Sequence, residues 1–254
     1  MKKRYALRLL PLLFFFSTSW KFTEEKDLLT ILKEADFHRG GQIKGISWDL
    51  HVLNYEQGRL KNKLTLFVEA SSVEERQFAL IAFLEPKKFK GQKLLLRDNN
   101  MWFSKIDLRQ PVAISNRQRL SGSAANADVA SANYYNDYTI ISAKEELLDG
   151  QACWVLALEA KNSLVPYLRI DYWITKQEHL GIQTLFYGKS SKLIKSARFE
   201  YTNAVAYHTK KENFISKITI RDNINTENQT ILNISNIRFD SFSHAKFQKD
   251  RLQD

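Results

Sequence analysis

One cysteine, Cys153, stands in 254 residues, so no intramolecular disulfide can form and stability must come from the core. Four prolines and nine glycines are too few to build low-complexity linkers. Beyond the N-terminus, no apolar run approaches the roughly 20 residues that a membrane-crossing helix needs. Chemistry is sparse as well. The five histidines, His38, His51, His179, His208 and His244, show neither HxxxH nor HExxH spacing. No GxSxG elbow, P-loop or GxGxxG occurs. Asp149, Glu159 and Asp171 could supply a carboxylate pair, but any sheet offers such coincidences. The expectation is a protein without a catalytic centre, metal or cofactor.

The chain does hold enough apolar material for a sizeable core, at 44% hydrophobic and 12% aromatic residues. Its charge is basic, a formal +10. Part of that charge belongs to residues 1–20, which read as a cleaved secretory signal. Lys2, Lys3, Arg4 and Arg8 precede the apolar run Leu9 to Phe16, and Ser17, Thr18 and Ser19 follow it. Setting those four cations aside leaves 34 basic residues against 28 acidic ones, dispersed along the chain. Such a surface suits acidic lipid or an acidic partner and argues against nucleic acid. Residues 21–254 then form one domain, exported to the periplasm.

After the signal, Thr23 is placed to cap a helix with Glu24 and Glu25 in its first turn. Leu28, Ile31, Leu32 and Ala35 form one apolar stripe, and Gly40-Gly41 should end the helix near Arg39. Strand-like runs follow every 10 to 20 residues: 46–55, 63–70, 77–84, 93–97, 101–104, 152–160, 168–175, 181–187, 196–205, 214–221 and 230–240. Turn chemistry at Asp98-Asn99-Asn100, Asp149-Gly150 and Gly188-Lys189-Ser190 separates several of them. Hairpin after hairpin without βαβ alternation predicts one antiparallel sheet. Residues 106–135 interrupt the rhythm. A short strand near Val112 to Ser115, then a loop with one or two short helices capped by Ser123 or Asp128, is expected there.

Aromatic residues lie within the strands rather than in loops. Leu168, Ile170, Tyr172 and Ile174 share one face of their strand, while Tyr167, Arg169, Asp171 and Trp173 share the other. Parts of the sheet are therefore apolar on both sides and need cover on each. Either a filled core or an apolar cavity suited to an acyl chain satisfies that pattern. The cavity reading names Phe83, Trp102, Trp154, Trp173 and Phe186 as lining candidates.

Several segments resemble the outer-membrane lipoprotein-sorting protein family, which is similar to the periplasmic lipoprotein carrier. They are Asn100-Met101-Trp102-Phe103, Pro111 to Ser115, Gln118 to Ala130, Asn133 to Tyr138, Tyr167 to Trp173, Tyr187-Gly188-Lys189, and Leu193-Ile194-Lys195 leading to Tyr201. The resemblance spans nearly all of the mature chain and is most specific over Arg117–Asp137. It marks Arg119, Gly122, Asn126, Asp128 and Asp137 as motif-loop residues. It implies a mainly β fold with some α: a single curved antiparallel sheet, a half-open β-barrel, covered by a few helices. The function it implies is binding of lipoprotein or lipid acyl chains during envelope transport or sorting to the outer membrane. The other reading from the same resemblance is a ligand-free adaptor bound to an inner-membrane exporter permease of the resistance-nodulation-division class.

Overall fold

The computed structural model describes residues 18–130, 133–188 and 190–253, the side chains of 18–26 and of 130 excepted. The first 17 residues of the expected signal segment therefore lie outside the described residues. Helix α1 (Thr18–His38) starts five residues ahead of the cap expected at Thr23, because nothing in the intervening sequence breaks a helix. It ends where expected. Gly40 takes φ +91° and its N–H bonds to the Phe37 carbonyl, the left-handed exit that glycine accepts without strain.

The strands follow in chain order. β1 (Ile46–Glu56), β2 (Arg59–Val73), β3 (Arg76–Glu85), β4 (Lys93–Arg97), β5 (Asn100–Ser104) and β6 (Val112–Ile114) form a meander. The interrupting segment supplies the small hairpin β7 (Arg119–Ser121) and β8 (Ala124–Ala125), then the short helices α2 (Asn126–Ala130) and α3 (Tyr134–Asp137). A second meander runs through β9 (Tyr138–Leu148), β10 (Gln151–Ala160), β11 (Arg169–Thr175), β12 (Gly181–Tyr187) and β13 (Leu193–Glu200). The hairpin β14 (Asn203–Tyr207) and β15 (Lys210–Phe214) stands apart, before β16 (Lys217–Asp222) and β17 (Gln229–Phe239). Two single-turn 3-10 helices, His244–Phe247 and Lys249–Arg251, end the chain.

Thirteen strands form one antiparallel sheet in the order β6-β5-β4-β3-β2-β1-β17-β16-β13-β12-β11-β10-β9. Laid flat it would measure roughly 55–60 Å across at about 4.8 Å per strand. Yet Asn99, in the β4–β5 turn, donates to the Asp137 carboxylate beside β9 at 3.2 Å. Likewise Asn116, just past β6, donates to the Leu164 carbonyl at 2.9 Å. Arg117 reaches the Ser163 and Val165 carbonyls at 2.9 Å each. The sheet must curl to bring its two ends so close. It does not close, since β6 and β9 share no ladder.

Three expectations need correction. β9 is an 11-residue strand that the pattern did not reveal: it is a mostly exposed edge rich in charge (Lys144, Glu145, Glu146), without apolar alternation. The runs expected as continuous over 196–205 and 214–221 each break, and their ends pair as the separate β14–β15 hairpin. Ser123 caps no helix; its N–H donates to the Thr230 hydroxyl instead. Asp128 does not start a helix either: it lies in the first turn of α2, where its carboxylate reaches back to accept from the Ala125 N–H at 2.7 Å.

Candidate functional site

Strand alternation divides the apolar residues between two faces. Leu50, Val52, Leu66, Val68, Ile81 and Phe83 join Leu156, Leu158, Ile170, Tyr172, Leu232 and Ile234 in one interior cluster. Helix α1 contributes Leu28, Leu32 and Ala35 to it, the stripe read from the sequence. Of the five lining candidates, Phe83 and Phe186 are buried in this cluster and Trp154 packs against it. Trp102 and Trp173 face the other way. Trp102 packs with Phe78, Leu95, Phe247 and Leu252 under the C-terminal turns. Trp173 packs with Cys153 and Val155, and its indole donates to Glu146 at 3.2 Å. Cys153 is thus the small buried hydrophobe expected. The candidate carboxylates are engaged separately, Asp149 by Arg198 at 2.7 Å and Asp171 by the Tyr187 hydroxyl at 2.6 Å.

The interrupting segment lies inside the curl and is held there by polar contacts. Gly122 sits at φ +55°, so close to β1 and β17 that a Cβ would fall 1.8 Å from Asn54 Oδ1 and 2.4 Å from Thr230 Oγ1. Only glycine allows that approach. Ser121 donates to Asn62 at 2.9 Å, and Asn126 is buried against the Ser115 carbonyl at 3.4 Å. Deeper in, Asp128 forms a buried ion pair with Lys195 of β13 and accepts from the Tyr167 hydroxyl at 3.0 Å. The Lys195 ammonium lies 4.5 Å from the Tyr167 ring centre and 4.9 Å from that of Phe186. Burial pushes its pKa down, and the Asp128 carboxylate opposes that shift. Burial acts on the Asp137 carboxyl in the opposite direction, raising its pKa, while the hydrogen bond from Asn99 opposes that shift. Arg119 is exposed at the rim. The motif-loop residues therefore anchor the segment to the sheet rather than point into solvent, Arg119 excepted.

Asp36 and Arg39 escaped the sequence reading. Both are buried at the end of α1, with Arg39 Nη1 3.9 Å from Asp36 Oδ1. Asp36 Oδ2 accepts from the Tyr135 N–H at 2.8 Å, tying α1 to α3. Burial pushes the Asp36 carboxyl up to about 7, against the pull of Arg39. The guanidinium lies over Tyr134 at 4.4 Å and Phe199 at 5.1 Å. A charged residue in the last turn of a helix usually faces water; the only signal against that here was the i, i+3 spacing of the two charges.

A cavity of about 50 Å³ touches Arg39, Trp48, Leu50, Val129, Leu232 and Ile234. A second, of about 30 Å³, lies between Arg39, Tyr134, Tyr167 and Phe186. A wider groove of about 270 Å³ opens at the other end of the strands, walled by Leu64, Phe83, Phe89, Leu94, Phe103 and Leu120, with Arg119 at its edge. From the interrupting segment and the start of β9, Ala124, Val129, Tyr134 and Tyr138 belong to the interior cluster, and Leu120 and Tyr135 pack against it.

The family profile described as "-like: Uncharacterized protein" matches residues 75–254. The chain belongs to this family. No curated protein matches it significantly. Among solved structures, a LolA superfamily protein from Nitrosomonas europaea is similar at TM-score 0.76 and 24% identity, over 87% of this chain and 97% of that one. A domain from Vibrio parahaemolyticus assigned to outer membrane lipoprotein sorting gives 0.75 and 19%, over 89% and 98%. A DUF1329 family protein from Desulfovibrio piger gives 0.75 and 18%, over 90% and 99%. At these identities the likeness establishes the fold, and the fold is LolA-like, as the resemblance in the sequence implied. No helix among the described residues of this LolA-like chain is long and apolar enough to cross a membrane.

Proposed function

We propose that this LolA-like protein is a periplasmic, non-catalytic carrier that holds acyl chains of lipoproteins or related lipids against the inner face of its sheet. The observation that carries this reading is the groove of about 270 Å³ whose apolar side, Leu64, Phe83, Phe89, Leu94, Phe103 and Leu120, continues the interior cluster, with Asn62, Gln92, Gln118 and Arg119 among its polar lining. A palmitoyl chain costs on the order of 12 kcal/mol to keep in water at ~0.8 kcal/mol per methylene, so a soluble carrier needs such a dry wall. The interior spaces are small, about 50 and 30 Å³, with Ala124, Val129 and Tyr134 of the interrupting segment packed inside. Loading therefore requires that segment to move, which breaks the buried Asp128–Lys195 pair and lifts Ala124, Val129 and Tyr134 off the interior cluster, leaving apolar surface for the acyl chain to cover. The neighbour assigned to lipoprotein sorting supports the cargo class, and the signal-like N-terminus supports the compartment.

The test is quenching of tryptophan fluorescence by a brominated acyl lipopeptide, together with native mass spectrometry of the purified protein. Bound lipid and selective quenching of the inner-face Trp48 and Trp154 support the reading. Absence of retained lipid together with no quenching at any concentration below micelle formation removes it. The filled interior favours the second reading, an adaptor that binds an exporter permease without cargo; stable permease capture by lipid-free protein would then be the positive result.

A further inference from the structure

We propose that Arg39 is the docking point for the head group of an anionic acyl ligand, a fatty-acid carboxylate whose chain runs along the apolar interior. This deepens the carrier reading and rests on it for the chain, but the head-group site stands on separate observations.

Arg39 is 9% exposed, and its Nε and Nη1 have no hydrogen-bond partner among the described residues. Buried donors are rarely left this way, because an unmade hydrogen bond to a charged group is costly. The nearest carboxylate, Asp36, approaches only to 3.9 Å, and its Oδ1 is likewise unpartnered. The rest of the surround is aromatic: Tyr134 from α3, Tyr172 from β11 and Phe199 from β13 lie 4.4, 6.0 and 5.1 Å from the guanidinium carbon. Asp128 lines both interior cavities with Arg39, but its charge is committed to Lys195 and Tyr167. Asp137 lines the second cavity as well and is held by Asn99. Among the described residues Asp36 is therefore the acid ion-paired nearest to Arg39, and burial holds much of it protonated at neutral pH.

What remains is a buried planar cation with two unpartnered donors, on a residue that borders a space walled by Trp48, Leu50, Leu232 and Ile234. A guanidinium fork matches a carboxylate in shape and charge. The surrounding wall matches a methylene chain. A ligand with both parts is a fatty acid or its close chemical kin. The ester- and amide-linked chains of a lipoprotein would satisfy the wall but not Arg39.

The experiment is calorimetric titration of the full chain at neutral pH with dodecanoate, its methyl ester and acetate, using wild type, Arg39→Met and Asp36→Asn. Wild type should bind dodecanoate at least tenfold more tightly than the ester, equivalent to about 1.4 kcal/mol, and acetate far more weakly than either. Arg39→Met should abolish that preference while leaving ester binding within twofold. Asp36→Asn should tighten dodecanoate several-fold without changing the ester. Equal affinity for acid and ester in the wild type overturns the head-group site and leaves the carrier reading intact. So does a preference that survives Arg39→Met. Acetate binding as tight as dodecanoate would show that the chain contributes nothing, and would overturn the fatty-acid assignment and the acyl wall it rests on. Binding of neither acid nor ester removes the carrier reading and the site together. Should Arg39→Met fail to fold, the wild-type ratio and its change in Asp36→Asn decide the matter alone.

Discussion

Replacing Asp128 with alanine strands a cation. Lys195 is 7% exposed, lies beneath two aromatic rings, and has Asp128 as its only ion-pair partner among the described residues. Breaking a buried pair by deleting one partner costs about 3–5 kcal/mol, mostly because the surviving charge has nowhere to go. At roughly 2–4 °C per kcal/mol for a domain of this size, the melting temperature should fall by roughly 6–20 °C. The change also removes the acceptor for the Ala125 N–H and the Tyr167 hydroxyl, at about 1 kcal/mol each. Asp128→Ala combined with Lys195→Met removes the stranded charge and should recover all but roughly 1–2 kcal/mol of the loss, since buried ion pairs contribute little beyond their apolar replacements. Urea titrations of wild type, the two single variants and the double variant form the cycle that measures this coupling. If Asp128→Ala costs under about 1 kcal/mol, or the double variant is as unstable as the two losses added, the pair does not hold the segment in place and the reasoning is wrong.

Gly122→Ala should destabilise far more than Gly150→Ala in thermal melts: both glycines have positive φ, but only at Gly122 does the new Cβ strike neighbours, at 1.8 and 2.4 Å. Asp36 has its folded pKa raised from 3.8 to about 7, so its neutral form favours the fold fully below pH 3.8 and that contribution is lost as pH rises through 7. The stability advantage of Asp36→Asn over wild type should therefore grow by about 1.4 kcal/mol per pH unit across that window and level off above it; a flat difference between pH 4 and 7 refutes it. Quenching by a brominated acyl chain should shrink in Trp48→Phe and Trp154→Phe and persist in Trp102→Phe and Trp173→Phe, because only the first two indoles lie on the inner face. The reverse pattern would place the chain on the outer face.

Local pattern carried much of the architecture. The i, i+3, i+4 stripe at Leu28, Leu32 and Ala35 and the alternation in Ile170, Tyr172 and Ile174 identify buried faces because side-chain direction follows backbone period alone. β9 was invisible for the same reason: an edge strand exposed on both sides has no buried face to write into its sequence. Alternation also places Trp102 and Trp173 opposite their neighbours Met101 and Tyr172, yet which of two apolar faces becomes the interior is not a local property. The direction of curl decides it, and curl depends on contacts such as Asn99 with Asp137, 38 residues apart.

By itself, then, the sequence determined that this chain is a basic, strand-dominated domain with one amphipathic helix, an interrupting segment of small residues and a lipoprotein-sorting resemblance. Those properties are set by composition and by neighbours within a few residues. The tertiary structure alone decided which face is inner, that Ala124, Val129 and Tyr134 of the interrupting segment pack against it, and that Asp128 meets Lys195 across 67 residues. It also decided that Arg39 is buried, because a helix-terminal charge leaves water only when α3, β11 and β13 converge on it.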